Sequence, residues 1–262
     1  MLPTVQIFGR TIAMYGLMIA LGYIIGVAAV AIRSRKYQIP VEDVIFISFF
    51  AGIGLFVGAK LLYLITIIPQ IINHYKLVAS NPSSFFISLM NGYVFYGGFI
   101  GAILGIKLYC KLYQLNVMKV LDLYTPSIPL IHAFGRVGCF FAGCCYGIPY
   151  GGIGKVVFHH SLSAPNLISL FPTQLLEGTF NFLMAIFLLV YAKPSRKPGR
   201  VLGIYLLYYA ALRFIMECFR GDIIRGGFFG LSTSQWISIL LLPIGIGLVL
   251  GQQYKLFSFK KS

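Results

Sequence analysis

Six ionisable side chains fall inside strongly apolar stretches of this chain: Lys60, His132, Arg136, Glu177, Arg213 and Glu217. Arg213 and Glu217 are four residues apart, so on a helix they share a face and can pair. His132, Arg136 and Cys139 fall on one face in the same way, and Gln174 and Glu177 on another. Each ionised group at membrane depth costs roughly 2.5–3.5 kcal/mol on insertion scales, which makes such residues functional candidates by default. Lys60, Arg136 and Arg213 against Glu177 and Glu217 predict net positive charge at depth. That sign suits an anion, and the abundant anion in a membrane is a phospholipid headgroup. Arginine fits the task because its planar fork gives two parallel hydrogen bonds to phosphate oxygens. The competing reading is that these residues only pair with one another to hold helices together.

Glycine and cysteine gather in the same stretch. Gly135, Gly138, Gly143 and Gly147 surround Arg136, while Gly97, Gly98 and Gly101 follow Tyr96. They let backbone approach either a ligand or a neighbouring helix. The thiols Cys110, Cys139, Cys144, Cys145 and Cys218 form no CxxC framework. They read as small buried residues, or as a disulfide from Cys144 or Cys145 to Cys218, since adjacent cysteines bond each other only with strain. No metal or nucleotide motif occurs, which predicts no metal and no cofactor.

The elements that position these groups follow from composition. Only 10% of the residues are charged and 58% are hydrophobic, whereas soluble domains carry about 25% charged residues. A spanning helix needs about 20 mostly apolar residues. Seven runs qualify: 11–32, 44–68, 94–112, 123–142, 174–192, 201–219 and 232–251. The fourth is interrupted by Pro126, Pro129, His132 and Arg136, which membrane helices tolerate where the freed groups face protein or a wet cavity. Residues 1–10 lack the basic segment of a cleaved signal, so the first run is read as a retained helix. The predicted architecture is an all-α membrane protein, a seven-transmembrane-helix bundle forming one domain over 1–262. An interfacial arm spans about 69–93, and a Gly- and Pro-rich cap loop spans about 144–172.

The net charge of +15 sits in short clusters between the runs. Arg33, Arg35 and Lys36; Lys107, Lys111 and Lys119; Lys193, Arg196, Lys197 and Arg200; and Lys255, Lys260 and Lys261 all fall on one side by strict alternation. The positive-inside rule then puts the N-terminus outside and the C-terminus in the cytoplasm. No basic stripe marks one face, which argues against nucleic acid.

The run from Gly135 through Arg136, Gly138, Cys139 and Gly143 to Gly147 resembles the signature of the bacterial prolipoprotein diacylglyceryl transferases. Four further stretches resemble that family's motifs in the same order: Met14–Met18 around Tyr15, Gly58–Leu61 around Lys60, Phe171–Glu177 around Gln174, and Arg213–Glu217 continuing to Arg220. The resemblance implies an enzyme of the inner membrane. It would move the diacylglyceryl group of phosphatidylglycerol onto the lipobox cysteine of a preprolipoprotein, forming a thioether and releasing glycerol phosphate. Its partners would be the bilayer, phosphatidylglycerol as lipid donor, and the lipobox of the signal peptide. Carried over, Arg136 and Arg213 hold the headgroup and stabilise the departing phosphate, and Glu217 orients Arg213. Tyr15, Lys60, Gln174, Gly97, Gly98, Cys139 and Gly147 line the donor site.

The sequence departs from the family's pattern in three places. Tyr96-Gly97-Gly98 stands where the family has His-Gly-Gly, Cys139 replaces an Asn, and Cys144 replaces a Glu. Tyr96 and His132 are therefore rival candidates for the base, and a phenol serves only where cations such as Lys60 or Arg136 favour its anion. Two alternatives stay open: the same donor with a different acceptor, and a membrane protein that only binds anionic lipid.

Overall fold

The computed structural model describes residues 3–7, 9–73, 92–161, 163–222 and 227–251, which are mostly helical. The helices are α1 (Met14–Ser34), α2 (Val41–Asn73), α3 (Phe95–Leu112), α4 (Val117–Tyr124), α5 (Ser127–Ala142), α6 (Thr173–Tyr191), α7 (Arg200–Glu217) and α8 (Thr233–Leu250). Three two-stranded antiparallel hairpins accompany them: β1–β2 (Thr4–Ile7, Arg10–Ala13), β3–β4 (Val156–Val157, Ser169–Leu170) and β5–β6 (Gly227–Phe228, Leu231–Ser232). Each predicted run contains a helix, with three differences in detail. Residues 11–13 belong to β2, because Gly9 at φ 73° allows the turn that pairs Thr4 with Ala13. The fourth run divides into α4 and α5 at Pro126, whose ring removes an N–H and blocks a continuous helix. α2 runs past Pro69 to Asn73, so the predicted arm starts later, and its residues 74–91 lie outside those described, as do Lys255, Lys260 and Lys261.

Among the described residues, four helical segments are long and apolar enough to cross a membrane: Met14–Tyr37, Val41–Pro69, Thr173–Tyr191 and Thr233–Leu250. Their outer faces leave Ile32, Phe56, Val190 and Leu240 each more than 60% exposed. Apolar faces of that extent need lipid or protein against them.

The described residues divide into two compact units, one drawn from Met1–Gln38 and Met118–Ser258, the other from Ile39–Val117. In the first, α1 packs on α5, α5 on α6, and α7 on α8, with a lighter contact between α6 and α7. Leu188, Val201, Tyr205 and Leu248 are buried among these helices. Asp122 fixes the start of α7 by accepting the Gly199 N–H at 2.7 Å and the Leu202 N–H at 3.0 Å, which are groups a helix start otherwise leaves unbonded. The cap segment carries β3–β4 over a small core of Phe158, Ala164 and Leu170. In the second unit, α2 and α3 meet backbone to backbone. A Cβ at Gly58 would strike Gly97, and one at Gly54 would strike Gly101, so small residues permit the approach.

Candidate active site

The first unit gathers one group of buried charges where α5 and α7 finish and α6 and α8 begin. Arg136 on α5 donates from Nη2 to Glu177 Oε1 at 2.6 Å and from Nε to His132 Nε2 at 3.1 Å. Glu177 stands in the second turn of α6 with only 2% of its side chain exposed, so its charge depends on the Arg136 guanidinium beside it. Arg213, in the last turns of α7, pairs with Glu217 one turn on. Its Nη2 donates to Ser234 Oγ at 3.0 Å, at the start of α8. Its Nη1 is buried and has no hydrogen-bond partner among the described residues. Past the end of α7, Arg220 grips Asp222 with two bonds of 2.9 and 2.8 Å.

The i to i+4 pairing of Arg213 with Glu217 and the shared face of His132 and Arg136 are as the spacing predicts. In this unit Arg136, Arg213 and Arg220 each have a carboxylate partner, while Lys60, the third cation of the expected excess, belongs to the other unit. The guanidinium N–H groups that the carboxylates leave over are the donors available to an anion: Arg136 spends two of its five on Glu177 and His132, and Arg213 keeps Nη1. His132 is also constrained, because its Nε2 lone pair already accepts from Arg136.

Gln174 and Thr173 face the turn that follows α5. Gln174 Nε2 donates to the Cys144 carbonyl at 2.9 Å, and Thr173 Oγ1 to the Cys145 carbonyl at 3.0 Å. Gln174 thus braces the wall of the site through backbone. Tyr15 opens α1, partly exposed, within electrostatic reach of Arg136, Cys139, Cys144 and Cys145. Gly147 pairs with Arg220 across an antiparallel bridge, and a Cβ there would strike the Phe171 backbone. All five cysteines are free thiols. A disulfide to Cys218 was one expectation; instead the sulfurs of Cys139, Cys144 and Cys145 lie within 4.8 Å of one another.

Lys60, Tyr96, Gly97 and Gly98 belong to the second unit. Lys60 Nζ donates to the Gly92 carbonyl at 3.5 Å and lies 5.0 Å from the Tyr93 ring centre. Tyr96, in the first turn of α3, is 37% exposed. Gly97 and Gly98 are buried where α3 packs on α2.

Three parts of the site escaped the sequence reading. Spacing identifies Glu177 as an intramembrane acid but not as the partner of Arg136, since the two stand 41 residues apart on different helices. Ser234 carries no signal beyond sitting near a helix start. The three-thiol cluster is visible only as a Cys-Cys pair five residues after Cys139, which suggests nothing until α5 ends in a tight turn.

A helical membrane protein with buried arginine–carboxylate pairs at one end of its helices is the class that the fold and this geometry define. The sequence matches the family described as prolipoprotein diacylglyceryl transferase over residues 3–251, and the chain belongs to that family. It is 42% identical over 241 residues to a phosphatidylglycerol–prolipoprotein diacylglyceryl transferase of Clostridium tetani (strain Massachusetts / E88), covering 92% of this chain and 93% of that protein. A second protein of that name, numbered 2, from Clostridium perfringens (strain 13 / Type A) is 36% identical, covering 92% and 91%. One from Rickettsia bellii (strain OSU 85-389) is 32% identical, covering 88% and 89%.

Proposed function

We propose that this protein transfers the diacylglyceryl group of phosphatidylglycerol to the lipobox cysteine of a preprolipoprotein, forming a thioether and releasing glycerol phosphate. Membership of the family supports the reaction. The observation that carries the site is Arg213 Nη1, a buried donor without a partner among the described residues, on the unit that holds the Arg136–Glu177 pair. An unbonded buried N–H is costly, and a phosphate oxygen is the acceptor that a headgroup would supply.

In this reading the acceptor thiol loses its proton, and its sulfur attacks the glycerol carbon bearing the phosphate. The carbon–oxygen bond breaks, and its electron pair leaves on the phosphate. Arg136 and Arg213 hold the headgroup and stabilise the growing charge, the term on which such catalysis most depends. Glu177 and Glu217 orient the two guanidinium groups, while Gln174, Tyr15, Cys139 and Gly147 shape the wall around them. Lys60, Gly97 and Gly98 keep the donor-binding roles that the resemblance gives them, and Tyr96 and His132 stay the rival candidates for the base. The chain forms one polytopic domain of seven spans in the bacterial inner membrane, N-terminus outside and C-terminus in the cytoplasm. The lysine and arginine clusters support that orientation.

The test is a single-turnover assay in phosphatidylglycerol micelles with a labelled lipobox peptide, scored for thioether-linked diacylglycerol and free glycerol phosphate. Both products are expected. Glycerol phosphate without modified peptide would keep the donor and change the acceptor, the reading that the departures at Tyr96, Cys139 and Cys144 favour. Neither product from folded protein would leave a lipid binder.

A further inference from the structure

The three-thiol cluster is not absorbed by headgroup binding. We propose that Cys139, Cys144 and Cys145 bind one thiophilic divalent metal ion of the zinc class, whose fourth coordination position receives the acceptor thiol. The second half rests on the transfer to a thiol proposed above.

Four observations converge on the site. The sulfurs already lie within 4.8 Å of one another, and three thiolates bound to zinc at about 2.3 Å in tetrahedral geometry stand about 3.8 Å apart. Closing the cluster on an ion therefore takes at most about one ångström of movement per pair. α5 ends at an ordinary left-handed glycine cap, Gly143 with φ 71°, but two residues on Cys145 itself has φ 60°. That left-handed conformation is uncommon and unfavourable for a residue with a Cβ. Thr173 and Gln174 hold the turn by its two carbonyls, the kind of support that keeps strained backbone in place at functional sites.

Exposure and charge agree. Cys139 is buried while Cys144 and Cys145 are half-buried, so the cluster is closed behind and open in front. Three protein ligands and one open position distinguish a catalytic zinc site from a structural one. Three thiolates on a divalent ion leave one negative charge, and Arg220 and Arg136 both act electrostatically on Cys145.

The chemistry also fits the reaction. A thiol that coordinates such an ion is deprotonated outright. The acceptor's proton would pass to water, and its sulfur would form the carbon–sulfur bond as the carbon–oxygen bond to phosphate breaks. The electron pair of that bond leaves with glycerol phosphate. No side-chain base is then needed, in a chain with Tyr96 where its family has His.

The experiment is elemental analysis of the full-length protein purified in detergent, followed by cobalt(II) loading and absorption spectroscopy. About one metal per chain is expected, falling to background in Cys144→Ser and in Cys145→Ser but retained in Cys218→Ser. Cobalt should give a thiolate charge-transfer band in the wild-type protein, which avoids dependence on variants that fail to fold. Adding a lipobox peptide should alter the cobalt ligand-field bands, and a peptide with Ser in place of its Cys should not. Absence of metal and of the cobalt band, or a disulfide within the cluster by mass spectrometry, would overturn the site. A bound metal whose spectrum ignores the thiol peptide would overturn the acceptor's coordination. Each readout is independent of turnover, so failure of the transfer assay with these signals intact counts against the reaction and not against the metal.

Discussion

The first unit buries charge at both ends of its helices, and the two ends use it differently. At one end Arg33 donates to the carbonyls of Leu123 at 2.9 Å and Ala192 at 3.3 Å. Asp122 beside it accepts two N–H groups at the start of α7. These charges meet backbone, and they serve helix termini that have no partners of their own. At the other end side chain meets side chain: Arg136 with Glu177, Arg213 with Glu217 and Ser234. There Arg213 Nη1 is left over, as Arg200 Nε is at the start of α7. Buried charge and an unbonded donor are thus common to both ends; what differs is the partner, mainly backbone at one end and side chains at the other.

The largest effect that tests this contrast is on turnover. Arg213→Ala and Arg136→Ala should each slow transfer by about 10²–10³-fold, the scale set by losing one charge-stabilising donor. Arg213→Lys should lose most of that activity as well, since an ammonium lacks the fork. Phosphatidylglycerol consumption at saturating lipid checks both. Arg33→Ala provides the opposite arm: it should lower unfolding stability by roughly 1–3 kcal/mol through two unpaired carbonyls, with turnover per folded molecule unchanged. If Arg33→Ala silenced the enzyme while it stayed folded, the distinction between the two ends would collapse.

A smaller effect concerns pH. Burial pushes the Asp122 carboxyl up to about 6 from 3.8, against the pull of the Leu202, Gly199 and Val201 N–H groups. The folded state then holds this proton more tightly than the unfolded one. The stability it contributes is complete below pH 3.8 and is lost as pH rises to about 6. Asp122→Asn should flatten the melting-temperature slope across that window and leave the slope outside it alone. The smallest expected change is Tyr96→Phe: if the acceptor thiol is activated by a metal, transfer should continue at close to the wild-type rate, and a collapse of turnover would restore the phenol as base.

Much of the architecture could be read from residues. Seven apolar runs each hold a helix, because about 20 apolar residues have few other structures open to them. Pro126 marks the break in the fourth, and the four-residue spacing of Arg213 and Glu217 gives their pairing. What eluded the sequence depends on which helices become neighbours. Arg33 reads as one of a cluster of loop cations, yet it is 92% buried because Leu123 and Ala192 end beside it. Arg136 and Glu177 meet only because α5 packs on α6. The thiols meet only because the chain turns at Gly143 and again at Cys145. One-dimensional periodicity carries no information about such meetings.

The glycine seam between α2 and α3 bears on the motion of the second unit. Where Gly58 faces Gly97 and Gly54 faces Gly101, the contact has no rotamers to freeze and none to rearrange. Helices that touch through long side chains can slide by exchanging rotamers. Two backbones in direct contact have no such intermediate positions, so they either stay seated or separate. At these four glycines the α2–α3 contact is therefore all or nothing: a single added Cβ at Gly54 or Gly58 unseats it instead of shifting it.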